Sequence, residues 1–235
     1  MKRTEKTLIA AALSTLVSSS ASAVVLASTS FDGRTANGNT ASGLNWTTNG
    51  IDDPGDMSAL NASGGAQNLF NNTNLVQNMF VPGINTGNGN TFWTTSVALT
   101  VSGPESVALE GVTFDYWSVN GGQNQNVIRG SDFALTLRDP SGAEVGSVEV
   151  LDTLSGGVAG VPEVALTFGS PIALSAPGTY TLEIKGGDYA GINETGNHTG
   201  IDNLSIDGTV ASVPEPSAIL LSVVGLLSLA TRRRR

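Results

Sequence analysis

Apolar and polar residues alternate with a period of two through most of the chain between Val24 and Ala211, and that period predicts β-strands. Trp93, Thr95, Val97, Leu99 and Val101 fall on one face of such a run. Val107 and Leu109 set one phase, while Val112, Phe114 and Tyr116 set the other. A β-bulge is expected where the phase slips, at Glu110-Gly111. Phe133, Leu135 and Leu137 alternate next, and Asp139-Pro140-Ser141-Gly142 is a turn sequence leading into Val145 to Val150. Val164, Leu166 and Phe168 follow; Pro177-Gly178 turns the chain into Tyr180, Leu182 and Ile184, and the last run carries Leu204, Ile206 and Val210. With Val24 to Phe31 and Leu44 to Thr48 in front, this makes about nine or ten short strands, the number expected of a two-sheet sandwich. No stretch here sustains a helical period for three turns, and the lack of a fixed-length repeat argues against a solenoid. The predicted fold is all-β, a jelly-roll-like β-sandwich flanked by an N-terminal signal helix and a C-terminal single transmembrane helix.

The pattern changes at both ends. Lys2, Arg3 and Lys6 precede the apolar stretch Leu8 to Val17, and Ala21-Ser22-Ala23 offers a small-residue cleavage site. That order predicts a secretory signal over residues 1–23, cut after Ala23 by signal peptidase. Residues 24–211 form the expected β domain and residues 212–235 a tail. In the tail, Val213-Pro214-Glu215-Pro216-Ser217 precedes the apolar run Ala218 to Ala230, and Arg232, Arg233, Arg234 and Arg235 follow. The apolar run alone spans only about 20 Å as a helix, against a hydrocarbon core of about 30 Å. Extending it to about 217–231 and letting the arginines snorkel brings it close to spanning length. The arginine cluster acts as a membrane stop on the cytoplasmic side and leaves the β domain outside, which agrees with the N-terminal signal.

This order of Pro-Glu-Pro, apolar helix and terminal arginines resembles the PEP-CTERM sorting signal. The resemblance covers residues 213–235 and implies recognition by an exosortase of a Gram-negative-type bacterium, with a link to exopolysaccharide. It also implies cutting near Pro214-Glu215-Pro216, so that inner-membrane insertion through the C-terminal helix is at least transient. The cell surface or extracellular matrix is then the destination. The same tail is sometimes labelled an ice-binding protein C-terminal domain, a label that says nothing about ice here.

Charge sharpens the picture of the middle. The net charge of −9 conceals a segregation, because seven of the 11 Lys and Arg residues lie at the ends. Between Val24 and Ala211 only Arg34, Arg129, Arg138 and Lys185 face 18 Asp and Glu, a balance near −14. Such a surface repels phosphate backbones and excludes nucleic acid as a partner. Cysteine is absent, so neither disulfides nor thiolate metal sites are available.

Among candidate site residues, Asp202 in Gly200-Ile201-Asp202-Asn203-Leu204-Ser205-Ile206 is the most informative. By parity it shares the inward face of Leu204 and Ile206, where an ionised carboxylate is costly without a partner. Two arrangements meet that cost: a hard cation held by oxygens, or backbone N–H groups capped at a turn. Phe31-Asp32-Gly33 and Ile201 to Ile206 resemble the first and last strands of jelly-roll carbohydrate-binding modules. The resemblance implies a structural calcium ion bracketed by Asp32 and Asp202, although Asn203 stands where that family often has a second Asp. Asp52, Asp53 and Asp56 around Pro54-Gly55 fit no EF-hand spacing and are expected in a solvated turn.

Sugar recognition needs an aromatic plate flanked by planar polar groups. If Tyr116 faces inward, Trp117 faces outward beside Asn120 and Gln123 to Asn126, with Tyr189 in the Gly-rich loop Lys185 to Gly200 as its partner. The competing reading makes Trp117 the cover of a core edge. Catalytic signals are thin: His198 is the one histidine, no Gly-x-Ser-x-Gly elbow accompanies it, and nothing singles out a carboxylate pair. The expectation is a non-enzymatic exported protein associated with exopolysaccharide, with a specific carbohydrate-binding module and a glycan-active hydrolase as rivals.

Overall fold

The alternating runs become long strands in the computed structural model, which describes residues 22–32, 35–37, 40–59, 92–120, 130–154, 163–175, 177–187 and 197–211. Its strands in chain order are β1 (Ser22–Thr29), β2 (Thr35–Asn37), β3 (Thr40–Ser42), β4 (Thr47–Thr48), β5 (Met57–Ala59) and β6 (Phe92–Val101). They continue with β7 (Ser106–Asn120), β8 (Gly130–Arg138), β9 (Glu144–Leu154), β10 (Glu163–Leu174), β11 (Gly178–Gly187) and β12 (Asn197–Ala211). All pairings are antiparallel. They build a five-stranded sheet in the order β10-β7-β12-β1-β4 and a seven-stranded sheet in the order β2-β3-β5-β6-β11-β8-β9. The result is a β-sandwich, and the described residues include no helix.

The period of two selects the core. Trp93, Val97, Leu99 and Val101 of β6 are buried, as are Leu135 and Leu137 of β8 and Leu182 and Ile184 of β11. Across the layer, β7 supplies Phe114 and Tyr116, whose rings each meet Phe133 of β8 edge-on at 5.0 Å. This aromatic contact ties the two sheets together near the middle of the sandwich.

The expected phase slip is present. In the β7–β12 ladder Asp207 pairs with Gly111 and Gly208 with Leu109, which leaves Glu110 without an opposite residue. The extra residue lets Leu109 and Val112 both face the core. The turn between β8 and β9 is equally local in origin. The Asp139 carboxylate accepts from the Ser141 hydroxyl at 2.6 Å and from the N–H groups of Ser141 and Ala143 at 2.8 and 3.0 Å. Gly142 takes a φ of 86°, which a side chain would oppose. The Ser141 hydroxyl, followed by those amides, holds the Asp139 carboxyl below its ordinary value.

The sequence pattern undercounts strands at the N-terminal side. β2, β3 and β5 are three residues each, too short for alternation to register, yet they extend the seven-stranded sheet beyond β6. Residues 49–90 read as one long loop; within that span Ile51 and Met57 are buried and β5 pairs with β6. Leu69, Phe70, Leu75, Met79 and Phe80, expected to pin the loop, lie outside the described residues, as do residues 1–21 and 212–235 at the two ends.

Candidate functional site

The corner where β1, β7 and β12 meet gathers the carboxylates that the sequence singles out. Asp202 lies near the middle of β12, directly opposite Asp115 of β7, and is only 1% exposed. The ladder then shifts, since the next matched pair is Ser205 with Thr113. Asn203 occupies this irregularity with a φ of 48°, a left-handed conformation that Asn tolerates better than most residues. Its backbone N–H donates to Asp202 Oδ1 at 2.8 Å, and its side-chain Nδ2 donates to Asp115 Oδ2 at 2.7 Å. Asn203 thus holds both carboxylates in place.

Electrostatics at this corner are unfavourable to charge. Burial is the largest influence on Asp202 and pushes its pKa up. The amides of Asn203 and Phe31 oppose that by favouring the anion, while the nearby Asp32 and Asp115 carboxylates push the same way as burial. The outcome is a pKa raised from 3.8 to about 6. Of the two arrangements expected for Asp202, the backbone N–H one is present. These N–H groups do not fully compensate its burial. Asp32 is near enough to add to that upward push. Asp115 was not anticipated, because only the β7–β12 register brings it there.

A cation at this corner has a short donor set. Among the described residues no three carboxylate or imidazole side chains converge to hold a metal ion. Backbone and amide oxygens are needed to complete a shell for calcium, which takes six to eight oxygen ligands.

The other acidic cluster is structural. Asp56 accepts the Gly43 N–H at 2.7 Å, Asp53 accepts the Gly55 N–H at 2.8 Å, and the Ser102 hydroxyl donates to Asp52. Trp46 adds a hydrogen bond from Nε1 to the Gly55 carbonyl at 2.7 Å, so these aspartates order an exposed turn.

On the outer face of the seven-stranded sheet lie the described cations. Arg138 Nε donates to Glu183 Oε2 at 3.0 Å, and Lys185 Nζ sits 4.3 Å from the centre of the Phe92 ring. Burial lowers the Lys185 pKa, against the pull of Glu149 and Asp132. Asp132 is fully buried, a second interior carboxylate that the alternation at Phe133 does not reveal.

Of the candidate sugar-binding residues, Trp117 is placed on β7 opposite Gly200 of β12, and Tyr116 beside it is buried. The Trp117 side chain and all of Tyr189 lie outside the described residues. His198 pairs with Val119 through the backbone. Ala23 is in β1 opposite Thr209, so the end of the expected signal lies at the start of a strand.

No curated protein matches this chain. The solved structure of TmCBM61 in complex with beta-1,4-galactotriose aligns at 16% identity over 64% of this chain and 80% of that one, with a TM-score of 0.27. That likeness is too loose to carry fold or function across. The tail is different: residues 212–235 match the PEP-CTERM protein-sorting motif. The chain therefore bears the address of an exported protein that an exosortase processes and that reaches the envelope or surface of a Gram-negative-type bacterium.

Proposed function

We propose that the chain is a non-enzymatic exported protein, displayed as a jelly-roll-like β-sandwich at the cell surface or in the extracellular matrix, in association with exopolysaccharide. The sorting motif at residues 212–235 carries this reading. The acidic balance of residues 24–211 supports it, since a strongly charged surface keeps a displayed domain soluble outside the cell. In this proposal residues 1–23 direct export, the helix at about 217–231 holds the chain in the inner membrane, and cutting at Pro214-Glu215-Pro216 ends that stay.

The test compares cells with and without an exosortase. With the enzyme, a tag placed after Arg235 is lost and the β-sandwich reaches the surface or medium. Without it, the tagged full-length chain stays in the inner membrane. Full-length chain dissolved in the cytosol of both strains ends the proposal. A polysaccharide array of the exported protein tests the association, and Trp117→Ala and Tyr189→Ala test whether those residues carry it.

A structural calcium ion at Asp32 and Asp202 belongs to the same proposal. Its support is the unfavourable charge at Asp202, which a bound cation relieves. Specific binding raises the thermal midpoint in calcium relative to chelator. An equal midpoint in both, with Asp32→Ala equally indifferent, removes the ion.

A further inference from the structure

We propose that the free edge of β9 pairs with β9 of a second copy, joining two seven-stranded sheets into one continuous sheet across a two-fold axis at Val148. β9 ends its sheet and pairs only with β8 among the described residues. It is 11 residues long, Glu-Val-Gly-Ser-Val-Glu-Val-Leu-Asp-Thr-Leu, with no proline and no lysine. Those are two common means of blocking an edge; the ladder to β8 does shift register at Val145 and again between Val150 and Thr153, and between these points Gly146 to Val150 presents a regular row of backbone donors and acceptors to another strand.

The side chains name the partner. Three large apolar residues are exposed among the described ones, and two of them, Val145 at 42% and Leu151 at 47%, lie on the outer face of β9. In an antiparallel two-fold pair centred on Val148, Val145 of each copy falls opposite Leu151 of the other. Both exposed apolar residues are then covered twice over. The same register sets Glu149 opposite Ser147 and Val150 opposite Gly146. Centring one residue later sets Glu149 opposite Glu149, a like-charge pair that opposes association. Centring one residue earlier sets Val145 opposite Glu149. Only the Val148 register among these three matches the exposed apolar residues Val145 and Leu151 with each other. Glu149 also shares a cross-strand row with Ala134 and Lys185, and the lysine charge tempers it. The cost of this register is Glu144 opposite Asp152, a like-charge pair that the two-fold axis makes twice, at the two ends of the seam.

That edge is held ready by local structure. The Asp139 turn sets the β8–β9 hairpin, and the inner side of β9 is backed by β10, since Gly146 lies against Ile172 and Phe168. The strand is therefore supported from its inward side while its outer face stays exposed. This inference does not depend on what the protein binds.

Sedimentation velocity of the exported protein tests it. A concentration-dependent dimer is expected, strengthened by raising salt from about 20 mM to about 500 mM, because salt screens the repulsion between two acidic domains. Val145→Lys combined with Leu151→Lys is expected to weaken the dimer at least about tenfold, because it removes the apolar pairs and sets lysine directly opposite lysine across the seam. Both positions are exposed, so the thermal midpoint of the monomer should hold. The register has its own readout, because the chain contains no cysteine. A mixture of Val145→Cys and Leu151→Cys proteins should form a disulfide-linked heterodimer on oxidation, at the separation of directly opposed residues. Each variant alone should not. A monomer at every concentration, a dimer indifferent to the lysine pair, or cross-linking of single variants as readily as the mixture overturns the proposal.

Discussion

Asp202→Asn isolates the effect of burying one carboxylate among two others. The folded protein raises the Asp202 pKa from 3.8 to about 6, with burial first among the causes and Asp32 and Asp115 reinforcing it. Below pH 3.8 the group is protonated in both the folded and the unfolded chain, and its full contribution to stability is present. As pH rises toward 6 the unfolded chain has released this proton while the folded one retains it, so stability falls with rising pH. Above about 6 the loss is complete. A tenfold change in proton affinity is worth about 1.36 kcal/mol, so the total is roughly 3 kcal/mol. Asp202 is almost wholly buried, so solvent screening takes little from that figure.

The assay is denaturant unfolding followed by tryptophan fluorescence, in chelator, at a series of pH values from 4 to 7. Asparagine removes the titration but presents an NH2 where the carboxylate had a second acceptor, which costs about 1–3 kcal/mol at any pH. The informative quantity is therefore the wild-type minus Asp202→Asn difference as a function of pH. It should fall by roughly 2–2.5 kcal/mol across the series, since part of the change already lies below pH 4, independent of the constant offset. A difference that stays flat refutes the argument that this corner disfavours the charged form. Repeating the series in calcium separates two situations. An ion at Asp202 favours the anion, reverses the trend and makes the calcium response vanish in Asp202→Asn; without an ion the two series coincide.

Three further substitutions probe the rest of the sandwich. Phe133→Ala removes the ring that Phe114 and Tyr116 meet edge-on and should cost about 3–5 kcal/mol, seen as a fall of roughly 10 °C in thermal midpoint. Gly186→Ala places a methyl 2.6 Å from Trp93 Cζ2 and 3.1 Å from Phe133 Cε1, and should cost about 1–3 kcal/mol with a change in near-ultraviolet circular dichroism. Glu183→Gln breaks the partly exposed pair with Arg138 and should cost less than about 1 kcal/mol by denaturant midpoint, with the difference shrinking at high salt.

The long strands were legible because their signal is periodic and local. Ten or more alternating residues mark β6 and β7, and the break in phase at Glu110 located a bulge before any pairing was known. The β8–β9 turn was legible for a related reason, since Asp139 and Gly142 satisfy their own neighbourhood. β2, β3 and β5 were not. Three residues cannot display a period, and such strands exist only because a neighbouring edge supplies their hydrogen bonds. Pairing order was hidden as well: β7 lies between β10 and β12, a juxtaposition of distant segments that no local pattern encodes.

The same distinction runs through the candidate site and the tail. Asp202 could be found because its own strand places it on the apolar face, whereas Asp115 sits in the outward phase between Phe114 and Tyr116 and looks like any solvated acid. Only the β7–β12 register turns it into a neighbour of a buried charge. A sequence reading is thus strong where one segment carries the whole physical consequence and weak where two must meet. The sorting tail is the extreme of the first kind. Its short motif, apolar run and arginine cluster follow one another along one segment, so the sorting motif is legible without any tertiary contact. Replacing Arg232 to Arg235 with serine should accordingly impair membrane retention and sorting while leaving the sandwich's unfolding midpoint unchanged. A matching loss of β-sandwich stability would mean that the tail acts through the fold and not beside it.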